Sequence, residues 1–218
     1  MTIDRHIRAW ASPQRILVAT NLTDLPFILP VAMQHALSYK AELRIVHVLP
    51  DPNISVIDPV LLVYSDPDRL RKAAEKALLE VMRTVEHAGI HCSYQVIAGD
   101  AAGEIIEVAQ AWKADRLIAG SHGKEKFHLH LLGSVAESLF HHAKIPVLAV
   151  GPKMRSNNNQ TTERMHIVFA TALDHDSKRM AEFALSVAEK HAADITLLHI
   201  TPEIVQGHPS AICATGDA

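Results

Sequence analysis

Short apolar runs alternate with amphipathic segments along the first 150 residues. Five runs rich in branched apolar residues predict buried strands: Arg15–Thr20, Glu42–Leu49, His91–Ala98, Asp115–Ala119 and Pro146–Val150. Between them, apolar residues recur every three or four positions and predict helices over Pro26–Lys40, Asp68–Ala88, Ala102–Trp112 and Ser134–His142. Proline is tolerated best in the first turn of a helix, so Pro30 is a candidate for the true start of the first one.

The alternating order predicts one fold class. Strands buried on both faces and separated by helices are typical of a parallel α/β sheet, so we expect a five-stranded parallel, Rossmann-like sheet with helices on both faces. The proline-rich Pro50–Pro67 and the segment Gly120–Leu132 are predicted loops. Ligands of such sheets bind beyond the carboxyl ends of the strands, which directs attention to Thr20–Asn21, Val48–Leu49 and Gly120–Gly123.

The same pattern begins again after a polar segment. Gly151–Arg164 is asparagine-rich and predicts a linker, where we expect mild proteolysis to cut. His166–Thr171 repeats Arg15–Thr20, and Ala193–Pro202 repeats Ala41–Pro50 with matched Ala, His and Pro. We therefore predict a complete domain over 1–152, a linker over 153–164, and a truncated second copy over 165–218 that ends in an irregular tail. The alternative is that any two βαβ units look alike.

Length and composition agree with this organisation. At roughly 150 residues per domain, 218 residues are about one and a half domains.

The net charge of −3 argues against a nucleic-acid-binding protein. Apolar runs are too short for a signal sequence or a membrane span, and Cys92 and Cys213 are too few for a disulfide framework, so a cytoplasmic protein is expected. The 15 histidines show no metal-ligand spacing, and no metal site is predicted.

Glycines give the most informative motif. Gly120 is followed after two residues by Gly123, and after nine more by Gly133-Ser134, which opens a helix. Glycines at a strand end let backbone N–H groups approach a ligand, and free N–H groups at a helix start favour an anion. The pattern is thus that of a phosphate cradle. Alternatively, Ser134 followed by Glu137 is a capping box, and the glycines are turn residues.

The segment Asp115–Pro152 resembles the nucleotide-binding branch of the universal stress protein family, whose Gly-x2-Gly-x9-Gly-Ser/Thr motif it matches in full. The resemblance covers residues 14–152 and the start of another module over 165–202. It implies a fold like that of the adenine nucleotide alpha hydrolases, with ATP bound either alone or with Mg²⁺. It also implies that Ala19, Thr20 and Asn21 lie at the adenosine end and that Val48 offers backbone groups to the base. Ribose and phosphates would be surrounded by Ala119, Gly120, Gly123, Gly133, Ser134 and Val135.

One residue departs from the family pattern. The family usually has Asp after the first strand, where this chain has Asn21, which keeps one acceptor, gains a donor and loses the charge. The change puts affinity and nucleotide preference in question. The second copy has Ala172 there and lacks the glycine motif, so we predict that it binds no nucleotide.

Three functions follow from these residues. The leading prediction is a regulatory, stress-response protein that binds ATP. The apolar Pro146–Val150 is a candidate edge for a homodimer, and the alternative is that the partial second copy packs against the first. Neither a Walker sequence nor Gly-x-Gly-x-x-Gly occurs in the chain. A slow ATP hydrolase is the second hypothesis, with Asp24 and Asp100 as the acids near strand ends. A dimeric scaffold that binds no nucleotide is the third.

The loop between Gly120 and Gly133 carries five side chains that either face phosphate or are simply solvated: His122, His128, His130, Lys124 and Lys126.

Overall fold

The computed structural model describes residues 9–51, 66–121, 132–152, 165–174 and 176–201. The chain divides into two compact units, one of residues 12–156 and one that joins residues 1–11 to residues 157–218. Most of the predicted loops at 50–67 and 120–132, the linker 153–164 and the tail from residue 203 lie outside the described residues, as does Cys213.

A five-stranded parallel sheet forms the centre of the larger unit, in the order β3-β2-β1-β4-β5. Its strands are β1 (Arg15–Ala19), β2 (Glu42–Leu49), β3 (Cys92–Ala98), β4 (Arg116–Gly120) and β5 (Val147–Val150). The predicted fold class is confirmed, and strand ends differ from the sequence prediction by one residue at most. β4, for example, extends to Gly120 because that residue pairs with Val150.

Among the residues that the structure describes, four helices cover the two faces of this sheet: α1 (Leu25–Tyr39), α2 (Pro67–His87), α3 (Ala101–Ala111) and α4 (Ser134–His142). Side chains of β1 alternate between the faces, as the two-residue period of a strand requires. Ile16 and Val18 pack with apolar residues of α1 and α2, whereas Leu17 and Ala19 pack with α3 and α4. Both faces are therefore buried, which explains why β1 is apolar from Ile16 to Ala19.

Pro30 lies inside α1 rather than at its start. The helix begins at Leu25 and carries Pro26 in its first turn. Leu25 to Leu29 keep the helical conformation because the buried Ile28 and Val31 pack against the sheet on either side of Pro30. The expectation that the helix starts near Pro30 was wrong, since tertiary packing here outweighs the loss of one backbone hydrogen bond.

The described part of the smaller unit contains a βαβ element: β6 (His166–Ala170), α5 (Ser177–His191) and β7 (Asp194–Leu198). The two strands pair in parallel, with Phe169 opposite Leu197. In the same unit, the ring of Trp10 meets that of Phe183 edge to face, with 6.4 Å between centroids. Trp10 thus packs against α5. No helix in the described part of the chain is long and apolar enough to span a membrane.

Candidate functional site

A cleft opens at the carboxyl edge of the five-stranded sheet, between the ends of β1, β2 and β4 and the first turn of α4. Its lining consists of Ala19, Thr20, Asn21, Asp24, His47, Val48, Ala101, Ile105, Ala119, Gly120, Gly133, Ser134, Val135 and Ala136. The chain runs outward from β1 to β2 and β3 in one direction and from β4 to β5 in the other. The cleft lies where this order reverses, which is where open α/β sheets bind ligands.

Nine of the ten residues predicted for the site line this cleft. The tenth, Gly123, lies outside the described residues. These residues come from four separate stretches of sequence: 19–21, 48, 119–120 and 133–135. The sheet brings them together because neighbouring parallel strands end at the same edge.

The first turn of α4 supplies free backbone donors. Gly133 is the N-cap, and the first hydrogen bond of the helix runs from Glu137 N–H to Gly133 O, at 2.9 Å. The N–H groups of Ser134, Val135 and Ala136 come before Glu137 in the helix, so they have no acceptor within it. The alternative in which Ser134 caps the helix was wrong, because Gly133 holds that position and no side-chain cap is formed.

Gly120 is in close contact with Asp24. A Cβ atom built on Gly120 would lie 2.6 Å from Asp24 Oδ2 and 3.3 Å from its Cβ. The carboxylate therefore fills the space that any other residue at position 120 would need. This contact, rather than a turn conformation, accounts for the first glycine of the motif.

Asp24 is a buried carboxylate in the wall of the cleft, with 5% of its surface exposed. Its Oδ1 accepts a hydrogen bond of 2.5 Å from the hydroxyl of Thr20, whose oxygen in turn accepts from Leu22 N–H. Burial raises the pKa of Asp24, an effect that the hydrogen bond from Thr20, the backbone N–H groups and nearby His47 oppose without cancelling.

His47 joins β2 to the end of β1. Its Nδ1 lies 2.8 Å from the carbonyl oxygen of Thr20, the residue that follows β1. The same arrangement occurs in the smaller unit, where His199 Nδ1 lies 2.8 Å from Thr171 O. In both units the histidine therefore fixes the chain just after the first strand.

Asn21 forms a tight turn before α1. Its Oδ1 accepts from Thr23 N–H at 2.9 Å, from the Thr23 hydroxyl at 2.7 Å and from Asp24 N–H at 3.1 Å. Amide side chains commonly stabilise turns in this way. The turn holds the predicted adenosine end of the cleft in shape.

Val48 lies beyond the part of β2 that pairs with β1. The pairing ends at Ala19 and Val46, and Thr20 N–H donates to Val46 O at 3.0 Å. Residues two apart in a strand direct their backbone groups to the same side, so the N–H and C=O of Val48 point past the end of β1. They offer an adjacent donor and acceptor to the cleft.

The second acid considered for hydrolysis has a structural role. Asp100 is the N-cap of α3, and its Oδ2 accepts from Gly103 N–H at 2.8 Å. It does not line the cleft, in contrast to Asp24. The loop residues His122, Lys124, Lys126, His128 and His130 fall outside the described residues. Within the described ranges, no group of three metal-ligating side chains occurs.

Sequence reasoning missed His47 as a site residue and gave Asp24 only a minor part. Two signals could have found them. Asp24 follows Thr20 by four residues at the start of α1, and His47 recurs as His199 in the repeat. Their contacts join segments that are far apart in sequence, and no periodicity reports such contacts.

Comparison with known proteins identifies the chain. A model of the universal stress protein family matches residues 13–151. The chain belongs to the universal stress protein family. The matched segment contains the whole five-stranded sheet and every residue that lines the cleft. Solved universal stress protein structures include one in complex with cAMP and one in complex with dAMP.

Individual members of the family are distant relatives. Universal stress protein MJ0531 of Methanocaldococcus jannaschii is 37% identical over 81 residues, which are 37% of this chain and 48% of that protein. Universal stress protein MJ0577 of the same organism is 25% identical over 149 residues, or 60% of this chain and 92% of that protein. The solved MJ0577 structure has a TM-score of 0.53 and covers 67% of this chain and 99% of that chain.

A universal stress protein structure from Archaeoglobus fulgidus has a TM-score of 0.64 at 24% identity, and covers 87% of this chain and 68% of that chain. This similarity in fold extends past the segment that the family model matches. The chain spans about half the length of the first curated relatives that it matches, 48% and 55%.

Proposed function

We propose that this universal stress protein binds ATP in the cleft between β1, β2 and β4 and acts as a nucleotide-responsive regulator. One observation carries the proposal: three amides of α4 that have no acceptor within the helix face the cleft from one side, and the backbone of Val48, beyond the pairing of β2 with β1, faces it from another. Free amides at a helix start bind phosphate, and a donor beside an acceptor suits the edge of adenine.

The charge in the cleft bears on how phosphates bind. Asp24 is the buried acid of the cleft wall, and an anion beside it would be repelled if the carboxyl is ionised. The free amides of α4 oppose that repulsion. Mg²⁺ is usually held by substrate phosphates and only one or two carboxylates, so we propose that it enters with ATP rather than before it.

Calorimetric titration of ATP, with and without Mg²⁺, tests the proposal, together with identification of any nucleotide released on denaturation. The variant Gly123→Val, Ser134→Val should lose binding. Ser138→Val makes the same serine change one turn farther along α4, outside the cleft, and should bind like wild type. Wild-type protein that shows neither released nucleotide nor heat of binding would refute the proposal.

We also propose that residues 165–201 are a second copy of the first βαβ element. Thr171 Oγ1 accepts from Leu173 N–H, as Thr20 Oγ1 accepts from Leu22 N–H. The similarity in fold to the Archaeoglobus fulgidus protein also reaches this part of the chain. Because Ala172 replaces Asn21 and the glycine motif is missing, one ATP should bind per chain, and a stoichiometry of two would contradict this.

A homodimer through β5 completes the proposal. β5 is an outer strand of the five-stranded sheet, and Val147, Leu148 and Ala149 are half-buried there. Outer strands with apolar side chains readily pair with another chain. Sedimentation velocity at micromolar concentration should show a dimer for wild type and a monomer for Leu148→Lys. A wild-type monomer would exclude this interface.

A further inference from the structure

The buried acid of the cleft lies beside the groups that suit phosphate. Asp24 and Gly120 both line the cleft, and Asp24 Oδ2 is 2.6 Å from the place where a Cβ of Gly120 would be. The first turn of α4, whose leading amides have no acceptor within the helix, borders the same cleft. A phosphate held by these backbone groups would therefore lie near a carboxylate, and two anions so close repel each other.

The described lining of the cleft contains no lysine or arginine to offset this repulsion. Its ionisable side chains are Asp24, at the start of α1, and His47, from β2, whereas β1, β4, α3 and α4 contribute none to it. The nearest acids of the two neighbouring helices, Asp100 and Glu104 of α3 and Glu137 of α4, lie outside the lining. Protonation of the cleft's own ionisable groups is therefore the direct way to reduce the repulsion.

The two oxygens of Asp24 have different surroundings. Oδ1 accepts from the Thr20 hydroxyl, whereas Oδ2 lies beside Gly120. A proton on Oδ2 would change that oxygen from an acceptor into a donor, and phosphate oxygens accept. The neutral acid would thus donate a hydrogen bond where the carboxylate would repel. Burial raises the pKa of Asp24, which makes the neutral form easier to reach.

We propose that metal-free ATP binds together with one proton, taken from solvent and held on Asp24 Oδ2, so that the cleft binds the nucleotide more tightly as the pH falls. The acid then donates to a phosphate oxygen. This inference rests on the proposed function, since it assumes that ATP occupies the cleft. It adds that the site responds to pH and that Asp24 is the responding group.

Calorimetric titration of ATP from pH 5.5 to pH 8, with EDTA present so that no metal ion neutralises the phosphates, tests the inference. Asp24→Asn keeps an oxygen for Thr20 and places a donor beside Gly120 at every pH. Asp100→Asn removes the same charge from the N-cap of α3, outside the cleft, where asparagine caps equally well, and is the matched control. Thermal unfolding verifies that each variant is folded.

The informative quantity is the affinity of wild type relative to Asp24→Asn, because protonation of ATP itself in this range affects both proteins equally. At pH 8, wild type should bind ATP about tenfold more weakly than Asp24→Asn, the factor that corresponds to a change of one pKa unit on binding. The two affinities should converge toward pH 5.5. Asp100→Asn should follow wild type throughout.

Two further measurements locate the proton. Titrations in buffers of different ionisation enthalpy should show more proton uptake per ATP for wild type than for Asp24→Asn. His47→Asn keeps a donor for the Thr20 carbonyl but cannot titrate, and it should take up as much as wild type. Infrared difference spectra of wild type with and without ATP should gain the carbonyl stretch of a protonated carboxyl, a result that does not depend on any variant.

The results that overturn the inference differ from those that overturn the proposed function. If wild type binds ATP but its affinity relative to Asp24→Asn is constant over the pH range, this inference alone fails. It also fails if the extra proton uptake is lost in His47→Asn and kept in Asp24→Asn, because the proton then resides on His47. If wild type binds no ATP at any pH in the range, the proposed function fails and the inference falls with it.

Discussion

Asp24 Oδ2 occupies the position beside Gly120 where a side chain would begin, 2.6 Å from the Cβ that an alanine would add. The two residues are 96 positions apart in sequence, on α1's N-cap and the end of β4. The contact links the acid of the cleft to the first glycine of the motif, and it makes several properties of the cleft testable.

Gly120→Ala should destabilise the protein by about 1–3 kcal/mol, the usual cost of an extra methyl group in a filled site. The reason is that Asp24 is buried and held by Thr20, so it cannot move aside freely. Urea unfolding monitored by circular dichroism measures the loss. Gly151→Ala is the control, because among the described atoms its Cβ would meet the Ser121 hydroxyl, at 3.3 Å, and no backbone or buried carboxylate. In Asp24→Ala protein the penalty at Gly120 should shrink, and equal penalties in both backgrounds would contradict the contact.

Asp24→Asn should alter the pH dependence of stability. Burial raises the folded-state pKa of Asp24 above its ordinary value of 3.8, so the folded state holds the proton more tightly than the unfolded state. The stabilisation from protonation is complete below pH 3.8 and is lost as pH rises through the folded-state pKa. Relative to wild type, Asp24→Asn should therefore gain thermal stability between pH 4 and pH 7. A constant difference in melting temperature over this range would show that Asp24 does not titrate differently on folding.

Ser134→Pro should weaken ATP binding while preserving α4. Proline is well tolerated at the first helical position, and Gly133 already has the extended conformation that a following proline requires, with φ −64 and ψ 146. The change removes one amide donor and one hydroxyl, so we expect affinity for ATP to fall about 10–100-fold. Calorimetry measures the affinity, and thermal unfolding checks the fold. Unchanged affinity in a folded variant would exclude the first turn of α4 as a phosphate site.

Cys92 should be inert in the native protein. It is 4% exposed, and burial, with a smaller contribution from Glu86, raises its pKa to about 12. Only the thiolate reacts readily, so at pH 8 a Cys213→Ser variant should show no reactive thiol with a disulfide reagent until denaturant is added. One equivalent should then react. Rapid reaction of the native variant would mean that β3 opens far more easily than its burial indicates.

Trp10→Ala should destabilise the smaller unit selectively. The edge-to-face contact with Phe183 joins the N-terminal segment to α5, and such pairs contribute about 0.5–1.5 kcal/mol beyond their buried area. Hydrogen exchange should become faster in Ser177–His191 and remain unchanged in Glu42–Leu49. Equal acceleration in both segments would point to a global effect instead.

The order of elements could be predicted from sequence because strands and helices differ in apolar period. The run Ile16 to Ala19 has no polar residue, which is the mark of a strand buried on both faces, and the sheet confirms it. Local rules were less dependable at helix ends. Pro30 suggested a helix start, but the packing of Ile28 and Val31 keeps Leu25–Leu29 within α1. α4 begins at Ser134 as predicted, although its cap is Gly133 and not Ser134.

Some residues of the cleft could be predicted from the sequence, and others could not. The glycine motif and the residues after β1 and β2 could be found in the sequence because they are local patterns at strand ends. The roles of Asp24 and His47 could not, because each depends on an atom of a distant segment: Gly120 for one and Thr20 for the other.

By itself, the sequence determined the family, the alternation of strands and helices, and the glycine spacing that marks one sheet edge as a ligand site. The tertiary structure alone decided the strand order that places β1 between β2 and β4, and with it the contacts of Asp24 with Gly120 and of His47 with Thr20. The physical reason is that periodicity records which face of an element is buried. Which polar atoms meet is set by how the buried faces pack.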